Sequence, residues 1–336
     1  MKVLMLSGIF AQTQEYRATH MAETPDSLLA AGLARAGVDV TTAAPRFRGD
    51  WSRYDVVHLN HLMNACVRSL VTPSARVVFT PHFSGWKPVH HRLALRATER
   101  RADRVVVFTE DERRRLGGRI AEDKVVVIRN ALDVEHFSAV PRVRPAAGEP
   151  WELLYVGQLV EFKRVHLALR LLQRIRQSGD RAVLRVVSHR ETLRLELEAE
   201  AERLGVAQDV HYVGSRDRAG IGEEMRRAHM LVLPSYREGQ STVAGEAVIS
   251  GLPVHMFDVA AACEQVPLGH ELPAVEDVER WLTLGCERLV DYEHQARTFL
   301  AQAHVERELL SIDRAVREHI ELYEHVAEHR PAAASA

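Results

Sequence analysis

Lysine is scarce in this chain: of 44 basic residues only Lys2, Lys87, Lys124 and Lys163 are lysines, and arginine supplies the rest. A GC-rich coding bias explains such a skew wherever either cation serves, so each surviving lysine invites a chemical reason, since a compact ammonium and a planar guanidinium are not interchangeable. Cysteine is almost missing. Cys66, Cys263 and Cys286 are far apart and show no Cys-x-x-Cys or Cys/His ligand spacing, which excludes a disulfide framework and a zinc site and reads as three buried thiols. No uncharged apolar run approaches the ~18 residues of a membrane helix, and the opening MKVLMLSGIFAQTQ turns polar without a small-residue cleavage site. Neither a membrane span nor a signal peptide is expected, and a cytoplasmic location follows. An excess of one charge is lacking too: 44 Lys+Arg face 46 Asp+Glu, and a net charge of −2 argues against a protein that grips nucleic-acid phosphates.

What is present is an ordinary globular composition, 46% hydrophobic and 27% charged over 336 residues, enough to bury more than one core. Short β-rich apolar runs alternate with longer stretches of helical period, the pattern of a parallel sheet covered on both faces. Strands are expected at Lys2–Leu6, Val38–Thr42, Asp55–Asn60, Arg76–Thr80, Arg104–Phe108 and Lys124–Ile128, and again at Glu152–Val156, Ala182–Ser188, Val210–Val213, Met230–Pro234 and Pro253–Phe257. Helices are expected between them, among others at Pro25–Ala36, Val165–Ser178 and Thr192–Leu204. The segment Ser138–Pro150 holds three prolines and no periodicity, the character of a linker.

The expected organisation is therefore an α/β chain with two tandem Rossmann-like doubly wound domains. The first spans residues 1–140, the linker residues 141–150 and the second residues 151–311, while a helix at about 312–328 packs back on the first and residues 329–336 form a disordered tail. Ligands of such folds bind at the carboxyl ends of the strands.

The strongest constellation is LPSYREGQSTVAGEAVISGLPV, Leu233 to Val254. A strand ends, a loop carries Glu238 and Gly239, and Ser241 or Thr242 can cap a helix that holds Glu246 one turn in. The amides of Gly239, Gln240, Ser241 and Thr242 at a helix N-terminus form a seat for phosphate. Two carboxylates flanking such a seat would be repelled by a diphosphate, so sugar hydroxyls on either side suit Glu238 and Glu246. A glutamate in a loop and another in a first helical turn are each common, and it is their joint placement that favours function.

The second constellation is YVGQLVEFKRVHLAL, Tyr155 to Leu169: a strand, Gly157, Gln158, a short loop, and a helix expected to open at Lys163 or Arg164. Adjacent cations at a helix N-terminus oppose its dipole unless an anion sits between them. A retained ammonium suits a leaving diphosphate. No Asp-x-Asp occurs in the chain, so the usual carboxylate cage for a metal-bound diphosphate is missing, and no metal or other cofactor is expected.

Together these segments resemble glycosyltransferase family 4, the retaining, nucleotide-sugar-dependent group with the two-domain GT-B fold. Glu238 and Glu246 fit its E-x7-E signature within PS-x-x-EG…EA…GLPV, and VGQLVEFKR is similar to VGRL-x-x-x-KG. RADRVVVFTEDERRRL with KVVVIRNALDVEHF resembles the segment that closes the family's first domain, VVFTPH the strand end that carries His82, and YDVVHLNH the strand before it. The resemblance implies two domains facing a central cleft, with Glu238 on the donor sugar, Glu246 on the ribose, Lys163 on the diphosphate and His82 beside the reacting sugar. His82, Lys163 and Glu238 would then be catalytic. Gly157, Gln158, Lys163, Arg164, Glu238, Gly239, Gln240, Ser241, Thr242 and Glu246 would bind the donor, a UDP-sugar before a GDP-sugar, and a small-molecule, natural-product or glycan hydroxyl would accept the sugar.

Departures are specific. Gln158 stands in the usual Arg place and Arg164 in the usual Gly place, the Gly-rich loop after the first strand is reduced to Gly8, and Ser188-His189-Arg190-Glu191 replaces a G-D-G-P turn. DVAAACEQV stands for the GG-x-x-E element, with Glu264 as the counterpart of its glutamate. Gly8, His58 and His61 are acceptor-side candidates, the two histidines having a core role as the alternative to a metal pair. Residues 87–104 are basic and amphipathic, suited either to a solvated face or to peripheral contact with anionic lipid at the inner membrane face. A nucleotide-sugar epimerase or phosphorylase of the same fold, or a non-catalytic nucleotide-sugar-binding protein, are the alternative functions.

Overall fold

The computed structural model describes residues 1–12, 24–60, 75–82, 101–259 and 261–328, and the chain divides into two compact units, Met1–Leu132 with Leu310–Ala336 and Asp133–Leu309. His61, Cys66, the tail 329–336 and most of the basic stretch 87–104 lie outside the described residues.

In chain order, the first unit starts with β1 (Lys2–Leu6), α1 (Pro25–Arg35), β2 (Asp39–Ala43), β3 (Val56–Asn60), β4 (Arg76–Thr80), β5 (Arg104–Val107), α2 (Glu110–Leu116) and β6 (Val125–Val127). The second contains β7 (Trp151–Val156), α3 (His166–Gln177), β8 (Ala182–Val187), α4 (Arg194–Arg203), β9 (Val210–Gly214), α5 (Arg218–Arg227), β10 (Met230–Leu233), α6 (Thr242–Ile249), β11 (Val254–Met256), α7 (Ala262–Gln265), α8 (Val278–Val290) and α9 (Tyr292–Leu309). The chain then returns to the first unit with α10 (Ile312–Glu328). Each expected strand is present to within two residues: short runs rich in β-branched Val and Ile, buried on both faces, pair their backbone groups in a parallel sheet.

The first sheet is parallel in the order β2-β1-β3-β4-β5-β6. Alternate residues enter opposite cores: Leu4, Leu6, Val57, Leu59, Val77 and Phe79 line one face, and Val3, Met5, Val56, Val78 and Val106 the other. The second face is covered by α1, through Leu29 and Leu33, and by α10, through Val316, Leu322 and Tyr323. Gly32 of α1 lets these helices approach closely, since a Cβ there would lie 2.5 Å from Val316 Cγ2. α1 starts from a capping box between Thr24 and Ser27, with Pro25 in its first turn.

The second sheet is also parallel, in the order β11-β10-β7-β8-β9. Order reverses between β1 and β3 in the first sheet and between β7 and β10 in the second, so the crevices that doubly wound sheets offer to ligands open after those strands.

The boundary between units falls at Leu132 and Asp133, ahead of the expected linker at 141–150. That proline-bearing segment is bound into the second unit by arginine. Arg142 donates from Nε to the Gly251 carbonyl at 3.1 Å and from Nη1 and Nη2 to those of Ala228 and Ser250 at 2.5 and 3.2 Å, and burial pushes its pKa down to about 10. Arg144 donates to the Leu289 and Val290 carbonyls at the end of α8, both at 2.9 Å, and stacks over Trp151. The expected burial of the cysteines is corrected in part: Cys263, on the short helix α7, is exposed, and Cys286 is half-buried. Among the described residues no helix is long and apolar enough to cross a membrane.

Candidate functional site

At the carboxyl end of β7 the chain turns at Gly157, whose N–H donates to the Val187 carbonyl at 3.0 Å. The buried Tyr155 hydroxyl donates to the Gln158 carbonyl at 2.8 Å, and a Cβ on residue 157 would lie 2.8 Å from that hydroxyl, so only glycine fits here. Gln158 itself reaches His189, with Nε2 to Nε2 at 3.4 Å. The loop continues into a 3₁₀ turn, Glu161–Lys163, which places Lys163 before the helix and corrects the expectation that the lysine opens it, since α3 begins at His166.

Arg164 between them is left-handed, φ 47° and ψ 40°, which gives a physical reason for a glycine at this place in the family pattern. Its side chain offsets the strain. Nε donates to the Pro234 carbonyl at 3.0 Å, Nη1 to that of Val275 at 3.1 Å, and the guanidinium lies 4.4 Å from the centre of the Phe257 ring. Those contacts make Arg164 a brace between loops.

After β10, the loop carrying Glu238 is pinned by the Tyr236 N–H, which donates to the Phe162 carbonyl at 2.7 Å. Lys163 Nζ and Glu238 Oε1 are thereby brought within 2.6 Å, with side chains 18% and 11% exposed. At such exposure the pair is shielded from bulk water and screened less than a surface pair. Ser241 caps α6, its Oγ accepting from the Ala244 N–H at 3.4 Å. The Ser241 backbone is also clamped from outside: its N–H donates to Gln265 Oε1 at 2.9 Å and its carbonyl accepts from Gln265 Nε2 at 2.8 Å. Of the amides expected to seat a phosphate, that of Ser241 is therefore occupied by protein, while Gly239, Gln240 and Thr242 line the same turn.

Glu246 is 1% exposed and forms an ion pair with Arg218, the first residue of α5. Arg218 and Gln265 are the residues of this crevice that the sequence analysis missed. For Gln265 the signal lay one residue from Glu264, at the end of α7, and for Arg218 it was the cap Asp217, whose side chain accepts from the Gly220 N–H at 2.8 Å and opens the helix.

In the first unit, the other crevice gathers Ser7 and Gly8 after β1, Asp26 in the first turn of α1, His58 and Asn60 on β3, and Thr80 and His82 at the end of β4. Gly8 opens a 3₁₀ turn that Ser7 caps. His58 is fully buried, with Nδ1 at 2.6 Å from the Tyr323 hydroxyl, Nε2 at 2.7 Å from Thr80 Oγ1 and its ring stacked on His319. Both ring nitrogens are engaged by protein, which gives His58 a core role. Burial holds its pKa well below the ordinary value and lowers that of His319 to about 4. His82 has φ 47°, an uncommon value for a non-glycine residue, and its ring packs edge-on against Phe108. Among the described residues no group of three or more His, Cys, Asp or Glu is arranged to hold a metal ion.

Known proteins match along most of the chain. The family Glycosyltransferase Family 4 matches residues 46–136, and Glycosyl transferases group 1 matches residues 137–278. Glycogen synthase of Mycobacterium tuberculosis is 33% identical over 143 residues, 43% of this chain and 34% of that protein. D-inositol 3-phosphate glycosyltransferase of Kribbella flavida is 32% identical over 178 residues, 48% of this chain and 41% of that protein. The alignments thus span well under half the length of these curated relatives.

Similarity of fold extends further. Sucrose-phosphate synthase from Thermosynechococcus elongatus superposes with a TM-score of 0.81 at 17% identity, covering 98% of this chain and 100% of that one. HepE of Anabaena, solved in complex with UDP and glucose, superposes with a TM-score of 0.72 at 17% identity, covering 97% and 100%. Both units carry the parallel α/β architecture of the GT-B glycosyltransferases. With two adjoining family matches that together run from residue 46 to residue 278, the chain belongs to glycosyltransferase family 4.

Proposed function

We propose that this chain is a retaining glycosyltransferase that moves a sugar from a nucleotide-sugar, a UDP-sugar before a GDP-sugar, to a hydroxyl of a small-molecule or glycan acceptor, without a metal ion. The second unit takes the donor and the first the acceptor. The observation that carries the reading is the Lys163–Glu238 pair at the reversal point of the second sheet, 2.6 Å apart and next to the capped N-terminus of α6. An ammonium, a carboxylate and a helix end in one crevice are what a nucleoside diphosphate joined to a hydroxylated sugar requires. The binding of UDP by HepE, a protein of the same fold, supports uridine as the first base to try.

In the proposed reaction the bond from the sugar's anomeric carbon to the diphosphate breaks and Lys163 neutralises the charge that develops on the leaving oxygen. The acceptor hydroxyl attacks from the face the diphosphate leaves, and its proton goes to the departing phosphate oxygen. Glu238 holds the sugar hydroxyls and Glu246 the ribose.

Thermal unfolding of the purified protein in chelator, against UDP, GDP, ADP and dTDP and their common sugar conjugates, tests the donor. A ligand at ~100 times its Kd adds about 2.7 kcal/mol, a plain rise in midpoint. NMR of the product then reads the anomeric configuration. No stabilisation by any nucleotide at millimolar concentration would sink the reading, and an inverted product would sink its retaining half.

A further inference from the structure

Near the end of α8 in the second unit, Arg288 is 4% exposed, yet no carboxylate of the described residues pairs with it. Its partners are neutral acceptors: Nη1 donates to the Val254 carbonyl at 3.3 Å and to His255 Nδ1, and Nη2 donates to the Glu271 carbonyl. His255 accepts because its Nε2 donates to the Trp281 carbonyl at 3.0 Å, which leaves Nδ1 as the acceptor nitrogen of a neutral ring. That ring is fixed in turn. It stacks on Trp281 with centroids 4.3 Å apart and is closed in at Gly285, where a Cβ would lie 2.9 Å from Nε2. A guanidinium has five N–H donors, so the Nε–H and one Nη2–H of Arg288 are left over by these contacts. A buried cation without a counter-ion is costly, and burial lowers the Arg288 pKa to about 9.

Arg288 forms part of the wall of a cavity of about 300 Å³ that lies wholly within the second unit and has room for a small organic molecule. Three carboxylates share this wall. Two are engaged already, since Glu271 and Glu287 both hold Arg280 through bonds of 2.7 to 3.1 Å. Asp291 differs: it stands one helical turn beyond Arg288, it is exposed, and its carboxylate makes no ion pair or side-chain hydrogen bond among the described residues. The cavity thus has a fixed cation at depth and an unpaired anion at its rim, with Leu268 and Leu284 as its apolar wall.

We infer that this cavity binds a free α-amino acid with an apolar side chain, its carboxylate on Arg288 and its ammonium towards Asp291. Donors on two neighbouring guanidinium nitrogens suit the two oxygens of a carboxylate. A ligand with negative charge alone would face Asp291 and both glutamates, and one with positive charge alone would face Arg288. A neutral zwitterion is the charge class that both ends of the cavity accept. An ammonium and a carboxylate on one carbon match two residues one helical turn apart, and Leu268 and Leu284 receive the side chain. Because Arg288 is held by Val254, His255 and Glu271 before any ligand arrives, little ordering is left for binding to impose. None of these residues belongs to the donor crevice, so amino-acid binding is a property separate from sugar transfer.

Titration calorimetry of the full chain with leucine, methionine, valine and phenylalanine tests the site. At least one of them is expected to bind, one molecule per chain, with millimolar or tighter affinity. Its N-acetyl form, which lacks the cation, and its amide, which lacks the carboxylate, should bind about tenfold more weakly or worse, the loss that follows when one partner of a charge pair is removed. Asp291→Asn, at an exposed position, should weaken the parent amino acid about threefold or more. Arg288→Gln should weaken it about thirtyfold or more. Should Arg288→Gln fail to fold, Asp291→Asn together with the acetylated and amidated ligands still decides the matter. No binding of any of the four at tens of millimolar, equal binding of the acetylated or amidated form, or unchanged affinity in Asp291→Asn would overturn the inference.

Discussion

Lys163 and Glu238 hold each other, Nζ to Oε1 at 2.6 Å, across loops that leave two different strands of one sheet. In the proposed reaction each has a separate partner, so donor binding exchanges one charge-assisted bond for two. Lys163→Ala should cut turnover by about 10²–10³-fold, the usual effect of removing a group that stabilises developing charge, with a smaller change in donor affinity. Steady-state kinetics separate the two, and a variant that loses only affinity would remove Lys163 from the chemistry.

Glu246 and Arg218 make a nearly buried pair, the carboxylate 1% exposed. Arg218→Ala strands a buried charge and should destabilise the protein by roughly 3–5 kcal/mol. Arg218→Ala with Glu246→Gln should recover part of that loss, because the remaining group is neutral. Denaturant unfolding of the two single variants and the double variant measures the coupling, and simple additivity would mean that the two side chains do not interact. Independently, Glu246→Ala should weaken nucleotide binding by roughly 1.5–3 kcal/mol.

Acid should destabilise the protein over a definite range. His58 and His319 in the first unit and His255 in the second are buried, His270 is half-buried, and all four have lowered pKa values, His319 to about 4 and His270 to about 3. Above about pH 6.5 these rings are neutral in both the folded and unfolded chains, and their burial costs nothing extra. As pH falls below that value the unfolded chain takes up protons that the folded chain refuses, and stability is lost until the folded pKa is reached. Each such histidine contributes up to about 1.4 kcal/mol per pH unit. Unfolding free energy should therefore drop from pH 6.5 towards pH 4, and more gently in His319→Gln. A flat profile in that range would contradict the burial of these rings.

Gln265 satisfies both backbone groups of Ser241, at 2.9 and 2.8 Å. Gln265→Ala leaves them unpaired in a buried place and should lower stability by about 1–3 kcal/mol. With the proposed phosphate seat loosened, the nucleotide-induced rise in midpoint should also shrink. An undiminished rise would separate the clamp from the ligand.

Much of this protein is legible along the chain. Strands such as Val56–Asn60 and Trp151–Val156 announce themselves because burial on both faces needs uninterrupted apolar residues, a local property. The E-x7-E spacing of Glu238 and Glu246 is legible for a similar reason, since a loop and one helical turn fix it. Other features have no local signal. Gly222 reads as a poor helix residue until it is seen that a Cβ there would collide with the His136 carbonyl. Arg142 reads as a linker residue, yet it fills a ring of carbonyls offered by residues more than eighty positions away.

By itself the sequence determined two parallel sheets, the loops that follow their strands and the family, because hydrophobic period, caps and motif spacing act over a few residues. Only the tertiary structure decided that Lys163 meets Glu238, that Arg218 covers Glu246, that Arg164 braces loops, and that Ser7, Asp26, Asn60 and His82 converge. Those pairings join segments tens of residues apart, and they depend on which strands lie side by side, a choice made by packing of the whole sheet and by no stretch of chain alone.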